Sequence, residues 1–256
     1  TGTDDGQLIF TKSSGKLMAW SATSPIAHAG STERIEAFIT GLCAVSADEY
    51  VTTVADAAGL AVYGLDAPRR LIAAFQDGTI RDIHLGSDAG DGMVYARMDR
   101  TGDIYRIRRT QLTFAESAGL NTLLDRFVSP VVVATLSQMR VTTVDGETTL
   151  RIEYENGDDN IGQRWFRDEN AVTRDEFTDA YLSIIALQFD QTAPQEAAGT
   201  SLLADVTFTL RDGSTSTVRY EACDAFYALV TTDGGGRFLV RLTDVENMLT
   251  VLKGEK

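Results

Sequence analysis

Two cysteines and two histidines are all that this chain of 256 residues contains, and that scarcity closes off most site chemistries. With no Cys-x-x-Cys pair and no Cys/His cluster, zinc, iron–sulfur and dithiol redox sites have no ligand set in the sequence. Cys43 falls on the apolar side of a predicted helix and Cys223 at the end of a predicted strand, so both are expected as small buried hydrophobes. His28 in a loop and His84 on a strand are too little raw material for nucleophile-plus-base catalysis. No Gly-x-Ser-x-Gly elbow, Gly-x-x-x-x-Gly-Lys-Ser/Thr loop or His-Glu-x-x-His pair occurs. The triple glycine 234–236 leads into a strand rather than a helix, which predicts a hairpin tip and not a phosphate cradle. No catalytic, cofactor-binding or metal-binding residue is therefore assigned.

Positive charge is also short. Lys and Arg number 23 against 37 Asp and Glu, a net charge of −14. Nucleic acid and anionic lipid both require a basic face, so neither is an expected partner. Apolar runs are short as well: the 130–136 stretch, Pro-Val-Val-Val-Ala-Thr-Leu, is strand-sized, well below the ~20 residues of a membrane span. The opening residues carry no secretory signal. The absence of an initiator Met leads us to expect a piece of a longer chain, with a leading segment ahead of Thr1.

What is present is a pattern that occurs twice. Residues 71–113 read as strand, Asp-Gly turn, strand, loop, strand, turn, strand, and residues 202–252 repeat that order. Asp77-Gly78 aligns with Asp212-Gly213, Tyr95-Ala96 with Tyr227-Ala228, and Ile107-Arg108 with Val240-Arg241. A helix precedes each copy. Ile35, Phe38, Ile39, Leu42 and Cys43 recur at helical spacing behind a Ser31 or Thr32 cap. Phe177, Tyr181, Ile184, Ile185 and Phe189 do the same over about 173–190. A hairpin about Asp145-Gly146 and a strand at 163–166 precede the second helix, and a short linking helix is expected over 115–127. Tight Asp-Gly turns imply antiparallel pairing. The fold class is therefore α+β, two similar modules from internal duplication, each an antiparallel sheet packed against one main helix. The expected limits are 1–114 for the first repeat, 115–137 for a linking helix and strand, and 138–256 for the second repeat.

Carboxylates crowd two places: Asp88, Asp91, Asp99 and Asp103 around turns, and Glu155, Asp158, Asp159 and Asn160 in one loop. Neither has the alternating ladder of a calcium loop, and turns favour Asp and Asn in any case. Trp20, Trp165, Phe166, Tyr95, Tyr105 and Phe226 are the aromatics to follow as core or as an interaction patch.

Residues 63–109 carry a resemblance. Tyr63-Gly64-Leu65-Asp66-Ala67-Pro68 is followed by an alternating strand, Asp77-Gly78, Ile83–Gly86, and a hairpin with Tyr95 and Tyr105. This resembles the bacterial domain-of-unknown-function family 4340; Gly86 is followed by Ser87-Asp88 where the family usually has Gly-Asp. The resemblance implies an extracytoplasmic body in the cell envelope behind one amino-terminal membrane anchor, often linked to ABC-type exporters, with transporter components as protein partners. It supplies no catalytic residues. Read physically, Gly64 allows a turn closed to other residues, Pro68 launches a strand, and Tyr63 and Leu65 plug a sheet edge. Tyr63, Gly64, Leu65, Asp66 and Pro68 are the candidate interaction or structural motif. Three functions follow as expectations: a membrane-tethered interaction or ligand-recognition module, a carboxylate-dependent hydrolase acting on an envelope or carbohydrate substrate, or a structural spacer.

Overall fold

A computed structural model of the protein describes residues 6–13, 20–54, 56–98, 102–154 and 162–254. The first elements are β1 (Ile9–Lys12), β2 (Trp20–Ser24), β3 (His28–Ala29), α1 (Thr32–Ala44), β4 (Glu49–Thr53), α2 (Ala57–Ala61), β5 (Arg69–Ala74), β6 (Ile80–Gly90), β7 (Met93–Met98), β8 (Asp103–Arg108), α3 (Thr113–Glu116) and α4 (Leu120–Leu123). Then come β9 (Leu136–Thr143), β10 (Gly146–Tyr154), β11 (Gln163–Arg167), β12 (Asn170–Val172), α5 (Arg174–Ile185), β13 (Gln191–Thr192), β14 (Ser201–Leu210), β15 (Thr215–Ala222), β16 (Tyr227–Thr232), β17 (Arg237–Arg241) and α6 (Leu242–Lys253). The class is α+β with antiparallel sheets. Two compact units result: Thr1–Trp20 with Gly30–Leu123, and Ser21–Ala29 with Leu124–Lys256.

In the first unit a five-stranded sheet runs β4-β8-β7-β6-β5. Its inner face carries Leu71, Ile83, Val94, Ala96 and Ile107, packed with Leu42 and Val45 at the end of α1 and with Leu112 and Ala115. The α1 stripe is narrower than its spacing predicts. Ile35 and Leu42 are buried, but Cys43 is exposed, because one residue beyond Leu42 turns the side chain about 100° around the helix. Cys43 and Cys223 are free thiols. The linking helix over 115–127 is broken into α3 and α4. Gly119 interrupts it, consistent with its low helix propensity, and Thr122 Oγ1 accepts from Gly119 N and donates to Ser117 O, both at 2.8 Å.

In the second unit nine strands run β12-β11-β10-β9-β14-β15-β16-β17-β13. Phe177, Phe208, Tyr220 and Phe238 are fully buried. α5 starts with a capping box in which Thr173 and Glu176 bond reciprocally, satisfying two backbone donors that the helix itself cannot. It stops at Ile185, earlier than the periodicity predicts. Phe189 lies beyond it, with its N–H bonded to Arg126 O at 3.0 Å and its ring stacked on Phe238 at 4.6 Å. The apolar 130–135 stretch is a loop and a 3₁₀ turn rather than a strand.

Five strands of each unit share one order: β5-β6-β7-β8-β4 and β14-β15-β16-β17-β13. The Asp-Gly turns match closely. Gly78 has φ 84° and Gly213 φ 83°, and Asp77 and Asp212 each accept a backbone N–H two residues on at 2.9 Å. Strand register corrects one alignment. Leu85 pairs with Ala96 and Tyr220 with Val230, so the counterpart of Ala96 is Val230 and not Ala228. The cause is the irregular pairing of β6 with β7 past Leu85, which consumes residues that the regular β15–β16 ladder does not.

Candidate functional site

Alternation along β5 to β8 puts Leu71, Ile83, Ala96 and Ile107 on the inner face, and hence Arg70, Ile72, Ile80, Asp82, His84, Gly86, Tyr95, Arg97 and Ile104 on the outer one. Part of that outer face is covered by the Tyr63–Pro68 segment. Asp56 caps α2 by accepting from Gly59 N at 2.7 Å. Gly64 follows at φ 66°, turning the chain back over β6. The Tyr63 carbonyl accepts from Ser87 N at 2.8 Å, and the Tyr63 ring meets Tyr95 edge-on at 5.0 Å. Leu65 is 3% exposed. A Cβ on Gly86 would collide with the Tyr63 carbonyl oxygen and crowd Leu65. The motif therefore closes over two interior strands, β6 and β7, rather than plugging an edge. Pro68 directly precedes β5, while Asp66 is exposed.

Beside that cover runs a polar network. Arg70 on β5 grips the Asp82 carboxylate with two hydrogen bonds, at 2.9 and 2.6 Å. Asp82 also receives His84 Nε2 at 3.2 Å. His84 Nδ1 faces Arg97 Nη2 on β7 at 3.3 Å. His84 is directly opposite both Arg70 and Arg97 in the ladder, so register alone assembles the group. The charges fix the tautomer. Nε2–H donates to the carboxylate, and Nδ1 accepts from the guanidinium, which has no lone pair of its own to offer. Both imidazole nitrogens are thereby occupied. Burial, and then Arg97, push the His84 pKa down, while Arg70 holds the Asp82 carboxyl below its ordinary range.

Arg97 differs from its neighbours. Arg106 is closed by Glu49 at 2.8 Å and Arg70 by Asp82, but Arg97 has no carboxylate partner among the described residues; its Nε, like that of Arg106, is buried without a hydrogen bond. Among the described residues, two guanidinium groups against one carboxylate leave one positive charge in this network, in a chain of net charge −14. At the open end of the same face Ile72 and Ile80 are 45% and 49% exposed.

The other sequence candidates sit elsewhere. His28 lies on β3 in the second unit, its ring against Phe238 and Phe189 at 4.7 and 5.8 Å, with Nε2 on the Asp125 carbonyl at 3.1 Å. It lines a cavity of about 220 Å³ with Ser129, Thr217 and Asp233. Asp88 is tied to Gly90 N and Arg109. Asp99 and the acidic loop of Glu155, Asp158, Asp159 and Asn160 lie outside the described residues. Trp165 packs on Phe177, and Phe226 is exposed at the β15–β16 turn. The sequence reading singled out none of Arg70, Asp82 and Arg97; only the spacing of Asp82 and His84, two apart on an alternating strand, offered a signal.

Both histidines have pKa values lowered by burial from the ordinary 6.5. The unfolded chain therefore takes up protons that the folded chain resists. Stability is complete above pH 6.5 and falls as pH drops through the depressed folded values, at up to about 1.4 kcal/mol per pH unit for each histidine. Melting temperature measured from pH 7.5 to 5 is expected to fall, and His28→Gln and His84→Gln should each flatten the slope. A flat profile in the parent chain would contradict the assignment.

A family model described as "Domain of unknown function (DUF4340)" matches residues 20–205. No curated protein and no solved structure matches the chain. The model spans the outer-face motif, the polar network and well over half of the sequence, so the chain belongs to the DUF4340 family.

Proposed function

We propose that the chain is an extracytoplasmic recognition module of a membrane-anchored protein, working through a protein partner such as an ABC-type exporter component. The observation that carries this reading is the half-open outer face of the first sheet. Its histidine has both ring nitrogens engaged, so it is not poised as a base, and its carboxylate is held by Arg70. Exposed Ile72 and Ile80 on the same face as Arg97 make a mixed apolar and cationic surface of the kind that binds partners. The hydrolase reading needs two carboxylates facing one substrate, and Asp82 is committed to an arginine.

Affinity purification of the anchored full-length protein from membranes tests the reading. An exporter component is expected to co-purify with the parent protein, and Ile72→Glu should reduce its recovery at least roughly tenfold, because a buried unpaired charge weakens an interface strongly. Recovery of the protein alone, or equal recovery with Ile72→Glu, would count against it.

A further inference from the structure

We propose that the outer face of the first sheet holds a carboxylate-binding site centred on the Arg97 guanidinium; this rests on the recognition reading above and names the chemistry of its ligand. Four observations carry it. Arg97 has one hydrogen bond, at 3.3 Å to His84 Nδ1, and a guanidinium has five donors in a planar fork that matches a carboxylate. His84 acts as the positioning group: held by Asp82 on its far nitrogen, it fixes one edge of the guanidinium and leaves the rest for a ligand. Among the described residues the network's surplus is a single positive charge, which suits a monoanion; a phosphate dianion would meet the Asp82 carboxylate with less compensation. Exposed Ile72 and Ile80 on the same face offer apolar contact to the chain that carries the carboxylate.

The second unit supplies the contrast. Asp205 and Arg219 are partners across β14–β15 as Arg70 and His84 are across β5–β6, and Thr231 pairs with Arg219 as Arg97 does with His84. There the cation is closed within the chain, with Arg219 Nε 3.8 Å from Asp205 and 3.6 Å from Glu221. The same scaffold thus meets its cation with two carboxylates in one unit and, among the described residues, leaves one guanidinium without a carboxylate in the other.

The test is titration of the isotope-labelled chain with acetate, followed by NMR at the Arg97 Nε–Hε and His84 ring signals. Saturable shifts in the millimolar range are expected. Read at the His84 ring signals, Arg97→Gln should weaken acetate binding at least roughly tenfold, as loss of charged hydrogen bonds predicts, and Arg97→Lys, which keeps the charge and guards against a folding artefact, should weaken it less. A short peptide with one Glu between apolar residues binding more tightly than acetate would place the natural carboxylate on a macromolecule; equal binding would place it on a small acid. No saturable shift, a shift that survives Arg97→Gln, or inorganic phosphate binding more tightly than acetate would overturn the proposal. Exporter capture without any acetate shift would leave the recognition reading standing and remove this site. The shift without capture would do the reverse.

Discussion

Gly86→Ala is expected to destabilise the first unit by about 3 kcal/mol, as overpacking plus one lost hydrogen bond. A methyl at this position meets a backbone carbonyl, that of Tyr63, rather than a side chain that can swing away. The Tyr63–Leu65 segment would have to lift from the sheet. Lifting it breaks the Ser87 N to Tyr63 O bond, parts the Tyr63–Tyr95 ring pair and exposes Leu65. Urea unfolding gives the energy, and hydrogen exchange at the Ser87 amide gives the location. Gly119→Ala is the control. An added Cβ there meets nothing within 4 Å, so its effect should stay within about 0.5 kcal/mol. If the two variants were equally stable, the motif would not be clamped as described.

Phe177→Ala should cost the second unit about 3–5 kcal/mol. Phe177 is fully buried on α5, with Trp165 of β11 at 4.6 Å and Tyr181 at 6.4 Å between ring centres. Truncation leaves a cavity between helix and sheet that two large aromatics cannot collapse to fill. With Trp20→Phe as background, Trp165 fluorescence should shift to the red, and the denaturation midpoint should fall. Leu182→Ala on the same helix, where Leu182 is 45% exposed, should change stability by no more than about 0.5 kcal/mol. Equal losses at the two positions would contradict the assigned face of α5.

Local patterning explains which parts were legible beforehand. Helical spacing identified Ile35, Leu42, Phe177, Tyr181 and Ile184, and all five are buried. The same spacing misplaced Cys43 and Phe189. A period of 3.6 residues states where a side chain lies around a helix, but not how wide the covering surface is or where the chain leaves the helix. Asp-Gly pairs marked their turns because positive φ is a local demand that glycine meets. The 130–136 stretch looked like a strand because composition was the only guide there.

The outer-face network lies on the other side of that divide. Arg70, Asp82, His84 and Arg97 come from three strands, and no short-range signal couples them. Alternation of Ile83 with His84 was enough to set the histidine on the face away from the core. By itself the sequence determined the α+β class, the antiparallel turns, the acidic surface and the conformational role of Gly64, since each depends on neighbours a few residues apart. Only the tertiary structure decided that the motif covers interior strands, that His84 is locked between Asp82 and Arg97 with its pKa lowered by burial, and that among the described residues one guanidinium is left without a carboxylate. Those depend on cross-strand register, and a shift of one residue would have turned every one of those side chains to the opposite face.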